Sequence, residues 1–208
     1  MGSRAKLTSS ARGGTGRGAA IAGRGGPLAF LGRRLAVAVA LLLSGLLLLG
    51  GNARASEFDE YAVKAAFLYN FAKFVEWPPE KFASADAPLV ICIAGDNPFG
   101  PALGAIAGKR VENHPVEVRH LPTATGLDPC HIVFLGRAEQ GRYKPMLARL
   151  ARLPILTVSD INDFTQAGGM IGLVEADQRI RFNINLTEAR RANLNLSSQL
   201  LKLANIVE

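Results

Sequence analysis

Acidic residues are missing from the first 55 positions of this 208-residue chain, which hold eight Lys and Arg side chains (Arg4, Lys6, Arg12, Arg17, Arg24, Arg33, Arg34 and Arg54). Nor does the chain contain an apolar run long enough to span a bilayer. The longest, Leu35 to Leu49, is 15 residues interrupted by Ser44 and Gly45, short of the roughly 20 that a spanning helix needs. A basic zone, an apolar zone and the small-residue stretch Ala53-Arg54-Ala55, in that order, have the layout of a secretory signal and predict cleavage after Ala55. The alternative is an uncleaved membrane anchor. Arg33-Arg34 also suits the twin-arginine route, but Leu35-Ala36-Val37 continues it poorly, so both export routes stay open.

Excess charge is equally scarce once that leader is set aside. The whole chain carries 24 Lys and Arg against 17 Asp and Glu, a formal +7; without the leader's eight basic residues the balance is 16 against 17, or −1. A near-neutral body has no electrostatic footprint for nucleic acid, and its composition gives no polybasic membrane contact. Residues 56–208 number 153, enough for a single domain with a core and too few for two.

Cysteine is limited to Cys92 and Cys130, which excludes a disulfide-framework fold. In an oxidising compartment two lone cysteines usually pair, and each of these borders an apolar run; two buried free thiols are the alternative. Closing the loop would stabilise by about 4 kcal/mol on the chain-entropy account. The three histidines, His114, His120 and His131, lack the i, i+4 spacing of a helical zinc pair, and a site built from Cys92, Cys130 and His131 would compete with the disulfide. Glycine-bracketed serine elbows, G-x-x-x-x-G-K-[ST] loops and G-x-G-x-x-G turns are all absent, so no metal, cofactor or nucleophile is expected and the chain reads as a binding protein, not an enzyme.

The regular elements begin with Ser56 to Trp77, which has helical spacing. Tyr61, Ala65, Leu68, Ala72 and Val75 fall on one line with Phe67, Phe71 and Phe74 beside it, leaving Asn70, Lys73 and Glu76 for the polar strip. Pro78-Pro79 stops the helix. Pro88 to Ala94 is a continuous apolar run, as in strands covered on both faces. A short helix to Ala107 follows, then strands at Val116–Leu121, Cys130–Leu135 and Ile155–Val158, with a helix over Ala138–Leu153 before the last of these. This alternation predicts an α/β fold: a mainly parallel, Rossmann-like sheet flanked by helices. Gly168–Val174 and Arg179–Asn185 read as an antiparallel hairpin closing the sheet at one edge. Thr187–Ala192 suits a short helix, and Ser197 or Ser198 can cap a final one burying Leu200, Leu201, Leu203, Ala204 and Val207.

Few residues declare a site. Asp96, in the turn Gly95 to Gly100, and Asp160, after the fourth strand, stand where open α/β sheets hold ligands, beyond the strand carboxyl ends. Each also suits ordinary capping, Asp160 for a helix over Ile161–Gln166. The first helix is apolar nearly all round and crowded with aromatics, which can leave a patch for a ligand or partner. Candidate contact residues are therefore Tyr69, Asn70, Lys73 and Trp77 on or after that helix, Asp96 and Phe99 in the first turn, Asp160, and Arg181 in the hairpin.

Taken in order, several stretches resemble the YfiR-like family of periplasmic proteins. They are Tyr61 to Pro78, Ile91-Cys92-Ile93 with Asp96-Asn97-Pro98-Phe99-Gly100, Cys130-His131-Ile132, Leu156 to Asp160, Gly168 to Ile171, Arg179 to Phe182, and Ser197-Ser198 before Leu200 to Ala204. The resemblance spans nearly all of residues 56–208 and implies a single YfiR-like domain outside the cytoplasm, regulatory and without cofactor. The best-understood members bind the periplasmic portion of an inner-membrane diguanylate cyclase and hold it inactive; stress releases it and cyclic di-GMP rises. Other relatives accompany different sensor systems. The resemblance further implies a structural Cys92–Cys130 disulfide. A small-molecule ligand and a homodimer remain open.

Overall fold

The computed structural model describes residues 60–207, apart from 124 and 178. The expected leader, residues 1–55, and its cleavage point lie outside the described residues.

Helix α1 (Glu60–Phe74) forms on the predicted apolar spacing and buries Lys64, Ala65, Leu68, Phe71 and Ala72. Asn70, Lys73 and Glu76 are exposed, on the strip expected for them. The helix stops three residues before Trp77 because Pro78 disfavours helical geometry at the residue ahead of it. Val75–Glu76 instead extend as β1 and pair antiparallel with Asn195–Leu196. A 3-10 turn at Pro79–Lys81 leads to β2 (Leu89–Ala94), and a second one at Gly100–Ala105, where a helix was expected, leads to β3 (Arg110–Val111) and β4 (His114–Leu121). Strand β5 (Ile132–Leu135) is followed by a 3-10 turn at Arg137–Glu139, helix α2 (Tyr143–Leu150) and β6 (Leu156–Ser159). The hairpin strands are β7 (Ile171–Ala176) and β8 (Arg179–Asn185); then come α3 (Leu186–Arg191), β9 (Asn195–Leu196), α4 (Ser198–Leu201) and β10 (Asn205–Val207).

Eight strands form one sheet in the order β10-β8-β7-β6-β5-β2-β4-β3. The pairs β4–β2, β2–β5, β5–β6 and β6–β7 are parallel, whereas β7–β8 is antiparallel. From β2 the chain passes first to β4 on one side and then to β5 on the other, so the strand order reverses between β2 and β5. The alternation of side chains along each strand sends Leu89, Ile91 and Ile93 toward α1 and Val90, Cys92 and Ala94 toward α2. Two apolar cores result, one on each face of the sheet, and this is why β2 reads as a continuous apolar run: all six of its residues are buried. Cys92 and Cys130 are joined by a disulfide on the α2 face, their Cα atoms 5.9 Å apart.

Two further expectations fail locally. Residues Ile161 to Gly168 form turns instead of a helix: Asp163 stands at φ 56, outside helical space, and the Ser159 hydroxyl accepts from the Ile161 amide. At the end of the chain, Ser197 does cap a helix, accepting from the Leu200 amide, but α4 lasts only four residues. Beyond it Asn205–Val207 extend parallel to β8, so β10, not the hairpin, forms that edge. The open side of β8 would otherwise leave backbone donors and acceptors unmatched, and pairing with them outweighs continuing the helix. Leu203 is accordingly 74% exposed instead of inward-facing.

Candidate functional site

At the end of the sheet where the parallel strands begin, α1 and its continuation stand away from β3 and β4 and leave an open groove of about 650 Å³. It is lined by Ala72, Val75, Trp77, Phe82, Leu89 and Val111, with Lys73, Glu112 and His114 contributing charge and polarity. Ser84 lines it too, but its hydroxyl donates to the Asp86 carboxylate at 2.6 Å and is held as turn chemistry. Glu112 lies in the turn between β3 and β4 at φ 51, a left-handed conformation uncommon for a residue other than Gly, Asn or Asp, and residues held this way cluster at binding sites.

The groove's aromatic wall is fixed by His131. The Trp77 indole donates to the His131 carbonyl at 3.1 Å, and the Val90 amide donates to His131 Nδ1 at 3.1 Å. An Nδ1 that accepts must be unprotonated, so the neutral ring carries its hydrogen on Nε2, which is buried and has no partner among the described residues. Burial first, and then the charges of Lys81 and His114, push the His131 pKa down to about 4. Phe82 stacks on His131 with ring centroids 4.4 Å apart and on His114 at 3.9 Å. His114 Nδ1 lies 2.7 Å from the Ala87 carbonyl, which can only accept, so it is a donor there. This arrangement suits the binding of an apolar or aromatic group: it offers fixed rings, a cation at Lys73 and carboxylates at Glu76 and Glu112.

A second polar cluster lies at the opposite end of the sheet, beyond the carboxyl ends of β2, β5 and β6. Lys64, almost fully buried, forms ion pairs with Asp160 and Glu60. Tyr61 donates to Asp160 Oδ2 at 3.2 Å, and Arg137 donates to Glu60 at 3.1 Å. Asp160 Oδ1 is buried and has no partner among the described residues. The hydrogen bond from Lys64, with the neighbouring Arg137 charge, lowers the Glu60 pKa; burial and the Asp160 carboxylate push Tyr61 up to about 12. Lys64 and Glu60 of α1 are thus held at the carboxyl end of the sheet by Asp160, which follows β6, and Arg137, which follows β5.

The family model described as YfiR/HmsC-like matches residues 61–205. The chain belongs to the YfiR/HmsC-like family. The match takes in the groove, the buried charge cluster apart from Glu60, and the hairpin. No helix among the described residues is long and apolar enough to cross a membrane, and no described group of three or more His, Cys, Asp or Glu could hold a metal.

The structure distributes the sequence candidates over four places. Lys73 and Trp77 line the groove. Tyr69 sits on α1 with its hydroxyl donating to the Arg110 carbonyl at 3.0 Å, and Asn70 is exposed on the same helix. Asp96, exposed, and Phe99, buried between Tyr61 and Phe134 with ring centroids 5.4 and 4.7 Å away, belong to the opposite end of the sheet. Asp160 caps no helix; it is the acceptor for Lys64 and Tyr61. Arg181 is exposed on β8, 4.0 Å from the Asp177 carboxylate. Sequence reading missed Lys64 and Phe82, and weighed His114 and His131 only as metal ligands. The signal for Lys64 was present: it falls three residues after Tyr61 and four before Leu68, on the buried line of α1.

Proposed function

We propose that this YfiR/HmsC-like protein is a periplasmic regulator that binds the outer domain of a membrane-anchored diguanylate cyclase and holds the enzyme inactive, with the groove beside Trp77 and Phe82 as its contact. The observation that carries the reading is that groove: an open, largely apolar cleft with fixed rings and a charged rim, in a family whose resemblance points to regulation through partner binding. Export would follow from the leader, with cleavage after Ala55 leaving residues 56–208 as one domain; N-terminal sequencing of the envelope form checks this. Regulation then works by population shift. The protein biases signalling only by as much as it binds one conformation of the partner better than the other.

Deleting the protein should raise cyclic di-GMP, and crosslinking in intact envelopes should recover a membrane cyclase. Ala85→Arg, which places a bulky cation in the groove, should reduce that recovery. Unchanged cyclic di-GMP together with no cyclase recovered would overturn the reading. A second reading, a small-molecule binding protein of a sensor system, is favoured by the groove's size, about 650 Å³, within the range of ligand pockets. Specific thermal stabilisation by one compound of a periplasmic metabolite panel, abolished by Ala85→Arg, would support it.

A further inference from the structure

The net charge of −1 after the leader conceals a separation of charges. The stretch from Tyr143 to Ile155 contains Lys144, Arg149 and Arg152 and no acidic residue. The buried side of α2 is Tyr143, Met146, Leu147 and Leu150, so its outward arc holds Lys144 and Arg149, with Arg152 just past its end; all three are exposed. Among the described residues none of the three makes an ion pair, whereas Arg142 and Arg137 on the neighbouring turns are engaged by Glu139 and Glu60.

Two further features mark the same spot. Arg152 stands at φ 67, at the helix end where glycine is favoured because other side chains are strained there. A long cation held in that conformation projects from the terminus. Next to it, Leu153 is 37% exposed, one of three large apolar side chains left out of the core among the described residues. An exposed leucine set among unpaired cations is the composition of a surface that rests on anionic lipid, the apolar group entering the headgroup region and the cations meeting phosphate.

We infer that the outward face of α2, with Lys144, Arg149, Arg152 and Leu153, docks on the anionic phospholipid surface of a membrane. The end of α2 leads straight into β6, so Arg152 and Leu153 lie where the parallel strands begin, the same end of the sheet as the groove but on its other face. Resting on the proposed function above, this orientation turns the groove's end of the molecule toward the bilayer that anchors its partner. Three cations give weak attachment: each contributes about fivefold to partitioning onto an anionic surface, about a hundredfold together. Such an increment matters when partner and membrane are touched at once, because the second contact is then intramolecular.

Co-sedimentation of the purified protein with vesicles tests this without any partner. Binding is expected with vesicles of phosphatidylcholine and phosphatidylglycerol, not with phosphatidylcholine alone, and it should fall steeply with salt. The triple variant Lys144→Gln, Arg149→Gln, Arg152→Gln should lose about a hundredfold in partitioning, and Leu153→Gln several-fold, with wild-type circular dichroism in both. Equal partitioning of wild type and triple variant, or no binding to either vesicle, would overturn the inference. So would cation-dependent binding to polyglutamate without binding to lipid, which would point to an acidic protein surface. None of these outcomes depends on whether a cyclase is bound.

Discussion

Removing Lys64 should damage the fold more than removing the carboxylate it meets. In Lys64→Met, the Asp160 carboxylate stays buried with the Tyr61 hydroxyl and with Arg137, whose Nε is 3.7 Å away, and Glu60 competes for that same guanidinium. Breaking a buried pair from one side leaves an uncompensated charge and costs about 3–5 kcal/mol. In Asp160→Asn the lysine keeps Glu60, which is partly open to water, so the loss should be about 1–3 kcal/mol. Combining the two changes removes both buried charges, and the double variant should be more stable than Lys64→Met alone by about 1–3 kcal/mol. Urea unfolding followed by the fluorescence of Trp77, the sole tryptophan, measures all four corners of the cycle, and the loss in Lys64→Met corresponds to a melting shift of about 10 °C for a domain of this size. The reasoning is refuted if Lys64→Met is no worse than Asp160→Asn, or if the double variant loses the sum of the two.

Acid should weaken the protein through His131. Its folded pKa of about 4 lies below the ordinary value of about 6.5, so between these pH values only the unfolded chain takes the proton and stability falls as pH drops through that window. The full effect is about 3 kcal/mol; His131→Gln should flatten the wild-type slope, and a proton NMR midpoint near 6.5 for His131 would contradict it. Reduction of the buried Cys92–Cys130 disulfide should lower the melting temperature by about 10 °C, given about 4 kcal/mol from chain entropy; equal melting with and without reductant after unfolding would show the bond to be irrelevant. Gly95→Ala should cost about 2–4 kcal/mol, since a Cβ at φ +81 would stand 2.0 Å from the Glu139 Oε1 atom; an unchanged urea midpoint would count against it.

The parts legible in the sequence are those where one physical signal dominates. Leu89–Ala94 and Ile132–Leu135 are apolar throughout because both faces of the sheet are covered, and the hairpin shows itself by alternation around a polar turn. The end of the chain misleads because Leu200, Leu201 and Leu203 carry helical spacing, while the edge that captures Asn205–Val207 belongs to β8 and is invisible locally. Much of the groove was hidden for the same reason. Trp77 and Lys73 stood out as members of an aromatic helix, but Phe82 and His114 look like loop and strand-end residues until β3 and β4 come to face α1 across the groove. Charge was misread by averaging: a body near neutrality still carries a cationic arc on and just past α2, unpaired among the described residues, because its acids lie elsewhere.

The strict alternation along β2 has an outcome for how this molecule can diversify. Leu89, at the foot of the groove, and Cys92, in the covalent staple, are three positions apart yet face opposite layers. Substitutions that reshape what the cleft accepts therefore leave the bonded layer untouched, and a lineage can exchange its interlocutor while keeping one anchored back wall.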